Sequence, residues 1–267
     1  IVMMQGASKT NGPHQGALID INENQFAFLH FQDMKAYGRV VHLQPVEWIE
    51  DWPICGKIGD PLLPGIPYEE CDYLIDLESN YSIPVSDEFD SDELSLIWQT
   101  PANKTGHWYD LKDGLTLHCV YTDEAASKAL NLTPNLFLTK LALPSFTVHT
   151  LCHLHLEKDG DEVGLCYMGS SYAYVCVKRI HNQTYIQIRQ GNFKQEEDVI
   201  LFEQPYGKSE IEFFMEYIGP ESYRLGYNEE VYHEVFTATP GRWIGGKYGI
   251  YAKGKESEGM ATFYYFI

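Results

Sequence analysis

The sequence predicts an all-β protein. Helical periodicity is almost absent along the 267 residues, and short runs of alternating polar and apolar side chains recur instead. Turn-forming groups such as Asn22-Glu23-Asn24 and Lys158-Asp159-Gly160 separate these runs, as tight connections between strands require. Hydrophobic residues make up 44% of the chain, which is enough to bury a core and argues against a disordered chain.

Strand-like runs occur from the beginning of the chain to its end. They span residues 25–31, 39–43, 114–120, 146–156, 185–189 and 248–252. In the run 146–156, alternation places His149, His153 and His155 on one face and leaves Val148 and Cys152 on the face that we predict to be buried. Histidines two residues apart on a strand can bind a transition metal. No cysteine or carboxylate partner is evident from the sequence, so a polar face, lining a groove, is the better interpretation.

Composition divides the chain into two parts. Four prolines and several acidic residues lie between Asp60 and Pro84 with little alternation, which is typical of an extended linker. We therefore predict an N-terminal part at 1–62, a linker at 63–83 and a C-terminal domain at 84–267. The first part is small for an independent core, whereas the last is long enough for a two-sheet sandwich. Because the chain opens directly on an apolar stretch, IVMM, we expect it to be part of a longer protein.

The charge of the chain limits its partners. The formal net charge is −19, so neither nucleic acid nor an anionic membrane surface is an expected partner. No apolar run approaches the ~18 residues of a membrane-spanning helix. A neutral glycan is not repelled, and the 19 tyrosines suit both strands and sugar-binding surfaces. The six cysteines form no CxxC pair, so we expect buried free thiols rather than a zinc or redox site.

Several motifs, in a consistent order, resemble one known family. They are GPHQG at 12–16, LHFQDMKAYGRVVHLQPVEW at 29–48, DWPI at 51–54, SDEF at 86–89, GDEVGL at 160–165 and GRWIG at 241–245. Together they resemble family 43 glycoside hydrolases, in the branch of β-xylosidases and α-L-arabinofuranosidases with a C-terminal sandwich. The resemblance covers nearly the whole chain. It implies the last part of a five-bladed β-propeller at 1–62 and a concanavalin A-like β-sandwich at 84–267.

The resemblance implies an inverting glycoside hydrolase that acts on xylosidic or arabinofuranosidic bonds of plant hemicellulose. Such an enzyme needs two carboxyl groups flanking the scissile bond. In the family these groups lie upstream of the GPHQG motif, so we expect this chain to lack them. Its partners would be the N-terminal half of the propeller and a xylo- or arabino-oligosaccharide. Asp20, Glu23, Asp33 and Glu47 lie outside the catalytic positions and are expected to be surface carboxylates.

The resemblance also implies roles for residues of the N-terminal part. His14 matches a histidine near the propeller axis that is associated with a central calcium ion. Taken alone, it would be a hydrogen-bonded turn histidine, because calcium prefers oxygen ligands. Arg39 matches an arginine that binds the sugar, and its fixed donors suit sugar hydroxyls; the alternative is a surface arginine. Gln15, His30 and Gln32 lie in the same motifs and are candidates for the pocket wall.

Two further candidates lie in the C-terminal domain. The resemblance makes Trp243 a candidate for the loop aromatic that reaches the active-site rim in related β-xylosidases, but we favour a core tryptophan between the sheets. Asp87, Glu88 and Asp90 match part of a structural calcium site, but the last strand lacks the usual acidic residues. We therefore expect no calcium there. The alternative function for the whole chain is a carbohydrate-binding or structural sandwich without catalysis.

Overall fold

The computed structural model describes residues 3–59, 63–72, 82–101, 107–142, 144–241, 243–255 and 258–267. Backbone contacts divide the chain into two units, residues 1–82 and 83–267. Nearly all regular elements are strands, which confirms the predicted all-β class. Within the described residues, no helix combines the length and the apolar character needed to cross a membrane.

The first unit is built on one antiparallel sheet whose four strands follow chain order. They are β1 (His14–Asn22), β2 (Gln25–Asp33), β3 (Arg39–Ile49) and β4 (Trp52–Cys55). The β3–β4 hairpin turns at Glu50 and Asp51, which have φ angles of 49° and 62°. Two successive left-handed residues give the tight turn that matches the twist of paired strands.

Residues after the sheet are tied back to it. Gln44, buried on β3, donates from Nε2 to Tyr68 O at 3.1 Å and accepts from Tyr68 N at 2.8 Å. Lys57 and Ile66 form an antiparallel bridge. Residues 63–72 belong to the segment predicted as a linker. Some of their backbone groups therefore form hydrogen bonds within the first unit.

The four-stranded sheet is apolar on both faces. Direct partners in the register share a face, which places Leu18 with Phe28 on one face and Val41 with Phe31 on the other. Leu18 is 43% exposed and Val41 59%. Strand β1 pairs only with β2 among the described strands, and eight of its nine residues are exposed. A neighbouring element could bury the apolar surface of either face. A further strand could pair with the backbone groups along the outer edge of β1.

The second unit consists of two antiparallel sheets. The six-stranded sheet has the order β12-β11-β10-β9-β17-β7, and the eight-stranded sheet has the order β15-β14-β13-β8-β18-β6-β5 with β16 paired to β14. The strands are β5 (Tyr109–Leu111), β6 (Leu115–His118), β7 (Leu136–Lys140), β8 (Thr147–His155), β9 (Glu162–Met168), β10 (Ser171–Ile180), β11 (Gln183–Asn192), β12 (Val199–Pro205), β13 (Glu210–Gly219), β14 (Ser222–Tyr227), β15 (Glu230–Val231), β16 (Phe236–Thr237), β17 (Lys247–Lys253) and β18 (Met260–Phe263).

Aromatic side chains fill the space between the two sheets. Tyr167 of the six-stranded sheet lies 4.7 Å from Tyr223 of the eight-stranded sheet, measured between ring centroids, and both are buried. Near the chain end, Tyr248 stacks on Phe266 at 5.5 Å. Rings of this size contribute much of the buried area of a core. This is the sandwich that the sequence predicted.

A short helical segment covers part of the outer face of the six-stranded sheet. Helix α1 (Glu124–Lys128) is capped by Asp123, whose side chain accepts from Ala126 N at 2.8 Å. A 3₁₀ turn at Leu130–Leu132 follows, and Leu130 packs in a cluster with Tyr172 and Tyr251 of the sheet. The sequence did not predict α1, because five residues are too few to show a helical period.

The predicted faces of the histidine-rich strand are confirmed. On β8, Val148, Thr150, Cys152 and Leu154 are buried, whereas His153 and His155 are exposed and His149 is half-buried. All six cysteines are free, and five are buried. Burial raises the pKa of the Cys55 thiol to about 11. Cys71 is exposed, so the expectation of buried thiols is wrong at that position, which lies outside the strands.

Candidate functional site

Three side chains stack on one face of the four-stranded sheet. The His14 and Phe31 rings are stacked with centroids 5.3 Å apart, and the Arg39 guanidinium carbon lies 4.2 Å from the Phe31 centroid. His14 opposes Phe31 in the register, and Arg39 opposes Asp33, two residues further along β2. The stack therefore follows from strand pairing. It holds the guanidinium by a cation–π contact.

The backbone changes direction at Gln15, immediately after the first residue of the stack. The register shifts between His14 and Gly16, and Gln15 has a φ of 42°. A Cβ at position 16 would lie 2.1 Å from Leu29 O, so only glycine fits this close approach. Gln15 is exposed at this bulge. The GPHQG motif is thus a bulged strand start.

His30 and Gln32 lie on the opposite face of the sheet. The His30 ring is 5.3 Å from His42, and burial lowers the pKa of both imidazoles. Gln32 accepts from Asn11 N at 3.0 Å and donates to Lys9 O at 3.0 Å. It therefore fixes the loop that leads into β1. Of the five candidates in this unit, the structure brings His14 and Arg39 together, and places His30 and Gln32 across the sheet from them.

The four carboxylates predicted to lie on the surface of this unit do so. Asp20, Glu23, Asp33 and Glu47 are all exposed, and Asp33 accepts from Lys35 N at 3.1 Å. A guanidinium held flat against a ring offers fixed hydrogen-bond donors. Sugar hydroxyls and carboxylates are the partners that suit such donors.

The ring partner of His14 is Phe31. Calcium takes 6–8 oxygen ligands, so the calcium ion expected near His14 would need ligands besides this residue. One group of His, Cys, Asp and Glu side chains within the described residues brings its ligand atoms within 4.8 Å of one another, namely His107, Asp110 and His118 of the second unit. There Asp110 contacts the two histidine Nε2 atoms at 2.9 and 2.7 Å. The hydrogen bond from His118 is the main cause of a lowered Asp110 pKa.

The two candidates of the sandwich, Trp243 and Asp87, differ in their surroundings: the first is exposed to solvent and the second is hydrogen-bonded to nearby residues. Trp243 is 59% exposed and has a φ of 72°, so the alternative of a core tryptophan is wrong: a left-handed loop turns the indole outward. Arg242 of the same motif lies outside the described residues. Asp87 is engaged locally, because its two oxygens accept from Phe89 N at 2.9 Å and Trp98 Nε1 at 2.7 Å.

A buried charge cluster on the six-stranded sheet was not predicted from the sequence. The Glu162 carboxylate contacts Lys178 Nζ at 2.8 Å, Lys253 Nζ at 3.5 Å and Arg189 Nη1 at 3.7 Å. Tyr251 donates to it at 2.8 Å. Burial acts to raise the pKa of Glu162, but the three cations outweigh it and lower the pKa below its ordinary value. The four charged residues are far apart in sequence, so no local pattern could have found them.

Comparison with known proteins identifies the class. Residues 86–267 match the model of the family described as β-xylosidase C-terminal concanavalin A-like domain, and the chain belongs to that family. A curated protein of Xylanibacter ruminicola named "Putative beta-xylosidase" is 38% identical over 126 residues, which are 46% of this chain and 24% of that protein. These findings confirm the resemblance to the C-terminal portion of family 43 glycoside hydrolases.

Solved structures show the same fold over almost the whole chain. A bifunctional GH43-CE protein of Bacteroides eggerthii superimposes with a TM-score of 0.78 and 23% identity, covering 96% of this chain and 34% of that one. A xylan β-1,4-xylosidase from Bacillus halodurans C-125 has a TM-score of 0.75 and 17% identity, covering 100% and 55%. The chain therefore spans about a third of the first of these longer chains and just over half of the second.

Proposed function

We propose that this chain is the C-terminal part of an inverting glycoside hydrolase that cleaves xylosidic or arabinofuranosidic bonds in hemicellulose. The catalytic carboxylates would be supplied by a preceding half of the propeller. Family membership supports the reaction class, since the matched domain is described as that of a β-xylosidase. This chain covers only part of its longer relatives, which supports the proposal that the carboxylates lie in a preceding half of the propeller.

The observation that carries the proposal is the four-stranded sheet with its Arg39 stack. The sheet exposes apolar side chains on both faces, and among the described strands β1 has a partner on one side only, as expected of a propeller blade without its neighbours. Arg39 and His14 lie together at one end of this blade. In an assembled propeller, a guanidinium placed there would bind sugar hydroxyls while the carboxylates of other blades carry out the proton transfers.

The test is an Arg39→Ala substitution in the full-length parent protein, assayed on aryl β-xylosides and aryl α-L-arabinofuranosides. We expect kcat/KM to fall by about tenfold or more, the loss of one charge-assisted contact. Lys57→Ala, an exposed cation of the same unit, is the matched control and should leave kcat/KM unchanged. Unchanged kcat/KM in Arg39→Ala would remove Arg39 from the substrate site. The ratio of kcat/KM for the aryl β-xyloside to kcat/KM for the aryl α-L-arabinofuranoside decides between xylosidase and arabinofuranosidase specificity.

A second candidate function is glycan binding by the sandwich itself. The exposed Trp243, followed by Ile244 at 71% exposure, favours it, because an exposed indole can stack on the apolar face of a sugar. Titration of the isolated chain with xylo-oligosaccharides tests this. Binding that Trp243→Ala abolishes would support it, and no binding would leave the sandwich a structural domain.

A further inference from the structure

A cationic cavity opens on the outer face of the six-stranded sheet. Its volume is about 360 Å³, at the small end of the range for small-molecule sites. Fifteen residues line it, and six of them are basic. These are Lys128, Lys178, Arg179, Arg189, Lys253 and Lys255. They are about a third of the 19 Lys and Arg residues of a chain whose net charge is −19.

The inner wall of the cavity carries more positive than negative charge. Lys178, Arg189 and Lys253 share one carboxylate, that of Glu162. The neighbouring Asp198 carboxylate accepts from the hydroxyls of Tyr172 and Tyr174 at 2.6 and 2.7 Å, and it adds a second negative charge, so the three cations exceed the two carboxylates by one. Side chains of Lys253 and Arg189 are only 1% and 5% exposed. Buried charges are normally paired, so this wall favours an incoming anion.

Polar atoms at the cavity remain without a partner. Arg189 Nε and Gln187 Oε1 are buried and make no hydrogen bond, although the same guanidinium donates from Nη2 to Asp198 O at 3.3 Å. A buried unpaired polar group costs about 1–3 kcal/mol. Both residues line the cavity, and a small shift of their side chains would let a ligand with an acceptor and a donor satisfy these two atoms.

Acidic residues also lie at the rim of the cavity and offset its positive charge. Asp159 and Glu197 line the opening, and Lys128 is paired with Glu124 at 2.6 Å. Exposed Lys255, two residues after Lys253 on the same face, adds a further cation. Ile180 and Ile200 supply apolar wall. An anion that carries an apolar ring face fits these walls better than a small inorganic ion.

We propose that this cavity binds the carboxylate of a sugar acid, a hexuronate of the kind attached to plant hemicelluloses. Lys178 and Arg189 would hold the carboxylate, and the isoleucines would contact the apolar ring face. Gln187, with its side chain turned toward the cavity, would accept from a ring hydroxyl. The choice of a sugar rests on the proposed function. The site would bind a charged substituent of the polysaccharide and hold the enzyme on decorated chains.

The experiment is calorimetric titration of the 267-residue chain with D-glucuronate, D-glucose and inorganic phosphate. We expect D-glucuronate to bind at least about tenfold more tightly than D-glucose, which lacks the charge. Lys178→Gln and, separately, the exposed Lys255→Gln should each weaken D-glucuronate binding several-fold. Lys208→Gln, an exposed lysine that does not line the cavity, should have no effect.

Three results would overturn the proposal. They are equal binding of D-glucose, phosphate binding as tight as that of D-glucuronate, and no binding of D-glucuronate by a chain that melts cooperatively. Because binding is measured without hydrolysis, the result does not depend on whether the parent protein cleaves xylosides. Failure of the hydrolase proposal would show instead as inactivity of the full-length protein.

Discussion

The two units of this chain differ in how they bury their sheets. In the second unit two sheets face each other, and rings such as Tyr167 and Tyr223 are fully enclosed. In the first unit a single sheet exposes apolar side chains on both faces and has an exposed strand, β1, at its edge. The second unit therefore encloses its core with its own two sheets. The first has surfaces that another part of a protein would cover.

This difference separates the enclosed core, which lies in the second unit, from the candidate site around Arg39, which lies in the first. A sandwich with a complete core can carry an unusual feature, such as a buried carboxylate surrounded by three cations. The single sheet of the first unit carries the stack of His14, Phe31 and Arg39, but its apolar faces remain exposed. The following predictions sharpen or break that comparison, and they are ordered by expected size.

The largest effect is expected for Glu162→Gln in the sandwich. Removing one partner of a buried ion cluster leaves uncompensated charge, at a cost of about 3–5 kcal/mol of unfolding free energy. Urea unfolding of the chain measures it. Glu124→Gln, which breaks an exposed pair with Lys128, should change stability by less than about 1 kcal/mol. Equal effects of the two substitutions would mean that the cluster is not a buried one.

Leu43→Ala in the first unit should depend on context. Leu43 is 40% exposed, so in the isolated chain we expect a change within about 1 kcal/mol. In the full-length parent protein, where a neighbouring blade would bury this face, the same change should cost about 2–5 kcal/mol. Comparing the two unfolding free energies measures the burial. A small effect in both would contradict the propeller interpretation.

The two units should also respond differently to acid. Burial lowers the pKa of His30 and His42, so these imidazoles stay neutral in the fold while the unfolded chain takes up protons. The first unit should therefore lose stability as pH falls below about 6.5. The lowered pKa of Glu162 gives the second unit stability that is present above about pH 4.5 and lost only on further acidification.

Pulse proteolysis in urea, with fragments assigned to each unit by mass, measures this order. A His30→Gln, His42→Gln double variant should flatten the response of the first unit between about pH 6.5 and 5. The second unit should be unaffected by that variant. Loss of the second unit at the milder pH would reverse the predicted order.

The smallest effect is expected for Arg39→Ala on stability. The guanidinium lies over Phe31 at a half-buried site, where a cation–π contact contributes about 0.5–1 kcal/mol. The change in urea midpoint of the chain measures it. A much larger loss would show that Arg39 is chiefly structural, and would weaken its assignment to substrate binding.

The sequence predicted more of the fold than of the candidate site. Alternation found β8 with the correct faces and most of β2 and the beginning of β3 as strands, because each pattern is local. It could not show that His30 faces away from His14, since the bulge at Gln15 shifts the register by one residue. Nor could it find the Glu162 cluster, whose members meet only when β9, β10, β11 and β17 pair.

Trp243 shows a different limit of sequence reasoning. Its motif fits either a rim aromatic or a core residue, and the outcome depends on a single left-handed φ of 72°. A bulky residue rarely adopts this conformation, so nothing in the sequence indicated it, and the favoured core alternative was wrong. The backbone of the loop places the indole outside.

The most direct test of the central claim compares hydrolysis by two proteins. One is the 267-residue chain alone, and the other is the same chain joined to the sequence that precedes it in its parent. With aryl β-xyloside and aryl α-L-arabinofuranoside as substrates, we predict no turnover by the chain alone and turnover by the joined protein. Turnover by the chain alone would contradict the claim that its catalytic carboxylates lie elsewhere.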